Sequence, residues 1–114
     1  MTEQEILEGN KLIAKFMGAE IDENFARFLN YSNDSVSGRG YHIFELLYHS
    51  SWDWLMPVVE KIESLKEVES AFIIELNYCS IWVKDNLVFN TEEKTKIKSV
   101  YKTIIEFIKW HNIQ

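Results

Sequence analysis

Residues 48–65 read Tyr48-His-Ser-Ser-Trp-Asp-Trp-Leu-Met-Pro-Val-Val-Glu-Lys-Ile-Glu-Ser-Leu65 and hold two of the four tryptophans and the only proline. Plotted at about 100° per residue, Trp54, Leu55, Val58, Val59 and Ile62 fall on one apolar arc. The spacing predicts a helix starting near Ser50 or Ser51. Either serine can cap it, and Ser50 with Asp53 has the spacing of a capping box with a shortened acid. Trp52 and Met56 lie at one edge of the arc and Trp54 at the other, so the two tryptophans diverge and do not sandwich one ligand. Pro57 lacks an amide hydrogen, which predicts a kink or a late helix start.

Upstream, Tyr41–Tyr48 reads as a strand. His42, Phe44, Leu46 and Tyr48 alternate with Tyr41, Ile43, Glu45 and Leu47, and two largely apolar faces suggest a central position. The helix at 48–65 then turns a strand into a helix. Before that strand, Ser32–Gly40 is the least hydrophobic stretch and carries two glycines, so a mobile hairpin loop is predicted. Arg39 and the Ser/Gly backbone there offer an anion contact, without the strand-to-helix context of a phosphate loop. Phe25–Tyr31 reads as a further strand and the acidic residues 19–24 as a connector. Residues 3–17 read as a helix with Ile6, Leu7, Leu12, Ile13, Phe16 and Met17 at helical spacing and Gly18 as the stop. Asn10 sits inside that stripe and reads first as a hydrogen-bonded structural asparagine, second as a ligand contact.

Downstream, Ala71–Leu76 reads as a strand with Phe72, Ile74 and Leu76 on one side, followed by a bulge or turn at Asn77-Tyr78. Ser80–Lys84 and Leu87–Phe89 read as a hairpin turning at Asp85-Asn86. Asn90 and Glu93 have capping-box spacing ahead of a last helix over 91–111. Its stripe is Ile97, Val100, Tyr101, Ile104, Ile105, Phe107 and Ile108, flanked by a ridge of Lys94, Lys98, Lys102 and Lys109 that reads as a solvated face. Trp110 projects away from the stripe and either covers the terminus or marks a contact surface. The order α-β-β-α-β-β-α predicts an α+β fold: a small, mainly antiparallel sheet of three or four strands with about three helices packed on it. If the second and third strands lie parallel, the crossover through the Trp52–Leu65 helix is right-handed.

Bulk composition narrows the setting. With 114 residues, 46% hydrophobic and 14% aromatic, the chain is the size of a single domain and can bury a core unaided by metals or disulfides. No window approaches the ~18–20 apolar residues of a membrane span. The N-terminal Met-Thr-Glu-Gln-Glu is unlike a secretory signal, and one cysteine, Cys79, forms no internal disulfide. A cytoplasmic location is expected. The net charge of −6 opposes non-specific nucleic-acid binding and suits a basic partner.

Three segments, Asn10–Gly18, Tyr48–Ile62 and Lys96–Asn112, resemble small proteins of Bacteroidetes bacteria and their phages or prophages. They cover about a third of the chain, and the middle one is distinctive. The resemblance implies a mobile-element setting and carries over neither an activity nor catalytic residues. Residues 19–40 lie outside the resemblance, and a specialised role of this chain is expected there if it has one.

The chemistry-bearing residues are weighed against plainer roles. His49 beside Ser50 and Ser51 invites a nucleophile-and-base reading, but adjacent residues rarely meet in the right geometry, and a helix-start histidine bonding to backbone is the plainer role. Cys79 reads as a small buried hydrophobe. There is no nucleophile elbow, HExxH, CxxC or paired-acid motif, and three scattered histidines lack metal-ligand spacing, so no cofactor is expected. The expectation is a non-catalytic, phage-type interaction protein that binds a host protein, for example a defence component. The alternatives are a small-molecule or nucleotide-sequestering protein and a small enzyme using His49. The candidate binding residues are Asn10, Arg39, His49, Trp52 and Trp110. The wide stripe on the last helix leaves room for a homodimer.

Overall fold

The computed structural model describes residues 1–28, 39–66, 68–84 and 87–114, with the backbone alone at 39 and 69–71. The chain divides into two compact units, Met1–Leu47 and Tyr48–Gln114. Among the described residues there are three α-helices and two three-stranded antiparallel sheets, an α+β fold in agreement with the sequence reading. The strands are shared between two sheets, one in each unit, so no crossover links strands of one sheet through the middle helix.

In the first unit, α1 (Glu3–Phe16) opens on a capping box. Thr2 Oγ1 accepts from Glu5 N at 3.1 Å and Glu5 Oε1 accepts from Thr2 N at 3.0 Å. The chain leaves the helix at Gly18, whose φ of +99° suits a residue without a Cβ. Strands β1 (Ala19–Asp22), β2 (Phe25–Phe28) and β3 (Arg39–His42) pair in that order. Side chains of Ala19, Ile21, Ala26 and Tyr41 share one face of the sheet by register, and α1 packs on β1 and β2. The opposite face carries Glu20, Asp22, Phe25, Arg27 and His42.

Two expectations for this unit are corrected. Residues 19–22 are a strand, because Ala19 and Ile21 alternate with Glu20 and Asp22 and bury one side only. Tyr41–Tyr48 is not a central strand. β3 lies at a sheet edge and ends at His42, and Ile43–Glu45 form a 3-10 turn. That turn closes on itself: Glu45 Oε1 accepts from His42 N at 2.8 Å and His42 Nδ1 accepts from Phe44 N at 3.3 Å. Ile43 N also donates to Asn24 O at 2.8 Å. A short apolar run does not by itself distinguish a strand from a buried turn. Residues 29–31 of the second predicted strand and 32–38 of the predicted loop lie outside the described residues, while Arg39 and Gly40 belong to β3.

In the second unit, α2 (Trp52–Glu63) buries Leu55, Val58, Val59 and Ile62, as the arc predicted, and continues through Pro57 rather than starting late. Its cap is Ser51, whose carbonyl accepts from Trp54 N and Leu55 N at 3.2 and 3.0 Å. No side-chain cap bond forms there, so the Ser50–Asp53 box does not operate. Strands β4 (Val68–Glu75), β5 (Tyr78–Val83) and β6 (Leu87–Glu92) follow, and then α3 (Lys96–Asn112). The β5–β6 hairpin is as expected, and its predicted turn, Asp85-Asn86, lies outside the described residues. The last helix starts later than expected. Asn90 is taken into β6 opposite Ser80, and the cap is Thr95, whose Oγ1 accepts from Lys98 N at 3.3 Å. Glu93 instead holds Lys102 at 2.7 Å and Lys98 at 3.7 Å, so part of the lysine ridge is ion-paired rather than simply solvated.

The inner face of β5, Cys79, Ile81 and Val83, is fully buried against α3, which supplies Val100, Ile104, Phe107 and Ile108. Thr103 Oγ1 donates to Ser99 O at 2.8 Å within the helix and lies 3.4 Å from Cys79 O on the strand. Phe89, on that same face by its pairing with Ile81, meets Phe107 edge-on at 6.0 Å.

Leu76 was expected to continue β4. It sits instead in the two-residue turn joining β4 to β5, with φ at +49° and 82% of its surface exposed. A left-handed backbone at a residue with a Cβ costs about 1–2 kcal/mol, and nothing within the turn offsets it by burying the side chain. Leu76→Gly is therefore expected to stabilise the protein by about 1 kcal/mol, read as a rise in Tm of about 4–6 °C in calorimetry. An unchanged or lower Tm refutes the strain.

Candidate functional site

The five residues singled out from the sequence occupy separate places. Asn10 is buried in α1 and its Nδ2 donates to Leu46 O at 3.0 Å, which fixes the exit of the 3-10 turn against the helix. That is the structural role. Arg39 pairs with Phe28 through the backbone of β3, and its side chain lies outside the described residues. His49 is half-buried in the turn ahead of α2, with its ring 6.2 Å from that of Tyr101. Trp52 is the first residue of α2 and is exposed. Trp110 lies against Phe89 at 5.8 Å and Phe107 at 5.9 Å, so it covers the C-terminal end of the helix–sheet contact. Tyr101 and Trp110 are nine residues apart, about 13–14 Å along the axis of α3 at a rise of about 1.5 Å per residue. His49 and Trp110 therefore serve different turns of that helix.

The titratable groups here carry structural signatures. Burial holds the His49 pKa below its usual 6.5. Burial pushes the Cys79 thiol up to about 11, against a smaller opposing contribution from the Thr103 hydroxyl. Burial likewise raises the Tyr101 phenol. The hydrogen bond from Lys102 is the main cause that lowers the Glu93 pKa, with the Lys102 and Lys98 charges adding to it. Among the described residues, no group of three or more His, Cys, Asp or Glu side chains gathers where it would hold a metal ion. Nor is any described helix long and apolar enough to cross a membrane.

Besides Trp52, two surfaces that sequence reasoning missed carry exposed aromatic side chains among the described residues. On the first unit, Phe25 and His42 are cross-strand partners with rings 5.3 Å apart, edge to face. Phe44 folds back over His42 with ring centroids at 4.3 Å. Phe25 is 55% and Phe44 68% exposed. Acceptance at Nδ1 places the proton of neutral His42 on Nε2 and fixes the ring between the two phenylalanines. Asp22 shares the Phe25–His42 row and Glu20 the next, where Arg27 is the opposing cation. The outer face of the second sheet presents Tyr78 and Trp82. Alternation along β5 was the available signal for the second surface. The first had none, because Phe25 and His42 meet only through strand pairing.

No family model matches the chain, and no curated protein or solved structure shows significant similarity to it.

Two outcomes follow for the buried groups. A thiol titrating at about 11 is thiolate in roughly one molecule in a thousand at pH 8, so Cys79 should resist iodoacetamide in the native protein and react promptly in guanidinium. Labelling at equal rates would contradict the burial. For His49, the folded pKa is the lower one, so below about pH 6.5 the unfolded chain takes up a proton that the folded one resists. Stability is then complete above that pH and declines as pH falls towards the folded pKa. His49→Gln should flatten the fall in Tm between pH 7 and pH 5, and an unaltered profile would count against a desolvated ring.

Proposed function

We propose that this protein is a non-catalytic interaction protein of phage or prophage type, which binds and modulates a host protein such as a defence component. The observation that carries the reading is the aromatic cluster of Phe25, His42 and Phe44. Large exposed rings held in fixed geometry bring binding area at little cost in side-chain entropy, and aromatic residues are enriched where proteins meet. The carboxylates of Asp22 and Glu20 on the same face, and the net charge of −6, suit a partner that presents basic residues, with a lysine or arginine over the rings. The resemblance of three segments to mobile-element proteins supplies the host setting.

The test is a tagged-protein pull-down from a Bacteroidetes host lysate, comparing the wild type with Phe44→Asp. The expected result is one host protein in stoichiometric yield, reduced at least about tenfold by the substitution, the loss of a contact worth roughly 1.4 kcal/mol or more. Circular dichroism should be unchanged, since Phe44 is exposed. Recovery of no protein, together with thermal stabilisation by a nucleotide, would overturn the reading in favour of sequestration.

A further inference from the structure

In the second unit the last strand of the sheet is left open. Glu93 N donates to Asn77 O at 3.0 Å, in register with the β5–β6 ladder. Hydrogen-bonded and non-bonded pairs alternate along an antiparallel ladder, so Phe89 and Thr91 turn their amides and carbonyls towards β5. Val88, Asn90 and Glu92 turn theirs away from it. Among the described residues none bonds to those outward groups, and Asn90 and Glu92 are exposed. The other sheet edges are each blunted. Glu45 Oε1 takes the His42 amide at the edge of β3, β4 shifts register between Val68 and Phe72, and the short β1 carries the acids Glu20 and Asp22. β6 keeps an unbroken register with β5 and holds no proline, lysine or arginine. It therefore lacks the devices that keep a free edge from pairing.

We infer that the open edge of β6 pairs with β6 of a second copy of this chain, joining the two three-stranded sheets into one. A two-fold axis through the sheet sets the two strands antiparallel, and the outward groups fix the register. With Asn90 on the axis, Asn90 pairs with Asn90, and Val88 pairs with Glu92 on either side of it. That register uses every outward amide and carbonyl of Val88, Asn90 and Glu92, and sliding either way leaves some of them unpaired. The side chains suit it as well. A residue on the axis meets itself, and the asparagine amide carries both a donor and an acceptor. Glu92 faces Val88 rather than its own copy, so no like charges stand opposite one another. On the face under α3, Phe89 of each copy comes beside Thr91 of the other. An unrelated strand would gain the backbone bonds, but this self-matched row selects a second copy. A contact one strand wide and about 20 Å long is small beside the roughly 800 Å² per partner of a standard interface. The dimer is therefore reversible and concentration-dependent.

Sedimentation of the 114-residue chain from about 1 μM to about 1 mM tests this. The mass should climb from the 13.5 kDa of one chain towards twice that value. Over the same range, hydrogen exchange at the Val88, Asn90 and Glu92 amides should slow, while the Phe89 and Thr91 amides stay protected throughout. Asn90→Pro removes an outward N–H that β5 does not use, so it should hold the protein at one chain with an unchanged far-ultraviolet spectrum. Should that variant fail to fold, Asn90→Lys sets two like charges on the axis and should weaken dimerisation roughly fivefold. Val88→Lys should strengthen it roughly fivefold, because the register places the new cation opposite Glu92 of the other copy. A single-chain mass for the wild type at the highest concentration overturns the inference. A folded Asn90→Pro variant that still dimerises does so too, as does a Val88→Lys variant that dimerises more weakly than the wild type.

Discussion

The second unit rests on the contact between the apolar stripe of α3 and the inner face of β5. Cys79, Ile81 and Val83 from the strand, and Val100, Ile104, Phe107 and Ile108 from the helix, are all excluded from water. Each such aliphatic or aromatic side chain contributes about 1.5–3 kcal/mol on burial, whereas a helix cap contributes about 1 kcal/mol. Packing therefore decides where the elements begin and end, and caps adjust to it. The displaced start of α3 follows from this. Asn90 has good capping chemistry, but β6 needs it opposite Ser80 to complete the ladder that holds Phe89 under the helix, so Thr95 becomes the cap. Glu93, released from a capping role, grips Lys102 and Lys98 across the strand-to-helix connection.

The first unit is held by a smaller set of bonds around the 3-10 turn. Asn10 reaches Leu46 O from α1, Ile43 N reaches Asn24 O in the β1–β2 turn, and His42 and Glu45 close the turn itself. These bonds stop β3 at His42 and swing Phe44 back over the His42 ring. The exposed aromatic cluster is thus a consequence of ending a strand early. A strand continuing to Tyr48 would have carried Phe44 two residues further along the same face and left no folded-back ring.

Within Tyr48–Leu65 several side chains have structural roles. Ser51 caps through its carbonyl, and Trp54 meets Tyr48 edge-on at 5.2 Å. His49 lies near Tyr101 with a depressed pKa, and Trp52 stays at the helix start. The stretch opens the second unit, whose boundary falls at Tyr48. Its tryptophans diverge, as helical geometry required. The exposed rings of Phe25, Phe44, Tyr78 and Trp82 lie outside this stretch.

Sequence alone determined the three helices, the buried arc of α2, the stripe of α3 and the α+β class. Those depend on side-chain periodicity within one element, which is local and visible in a single chain. It also contained β1, since Ala19-Glu-Ile-Asp22 alternates strictly, though its acidity reads as a connector. The division of strands between two sheets, the termination of β3 at His42 and the left-handed turn at Leu76 were decided by tertiary structure. So was the meeting of Phe25 with His42 across strands. Each depends on partners distant in sequence, and strand pairing energy belongs to the pair rather than to either segment.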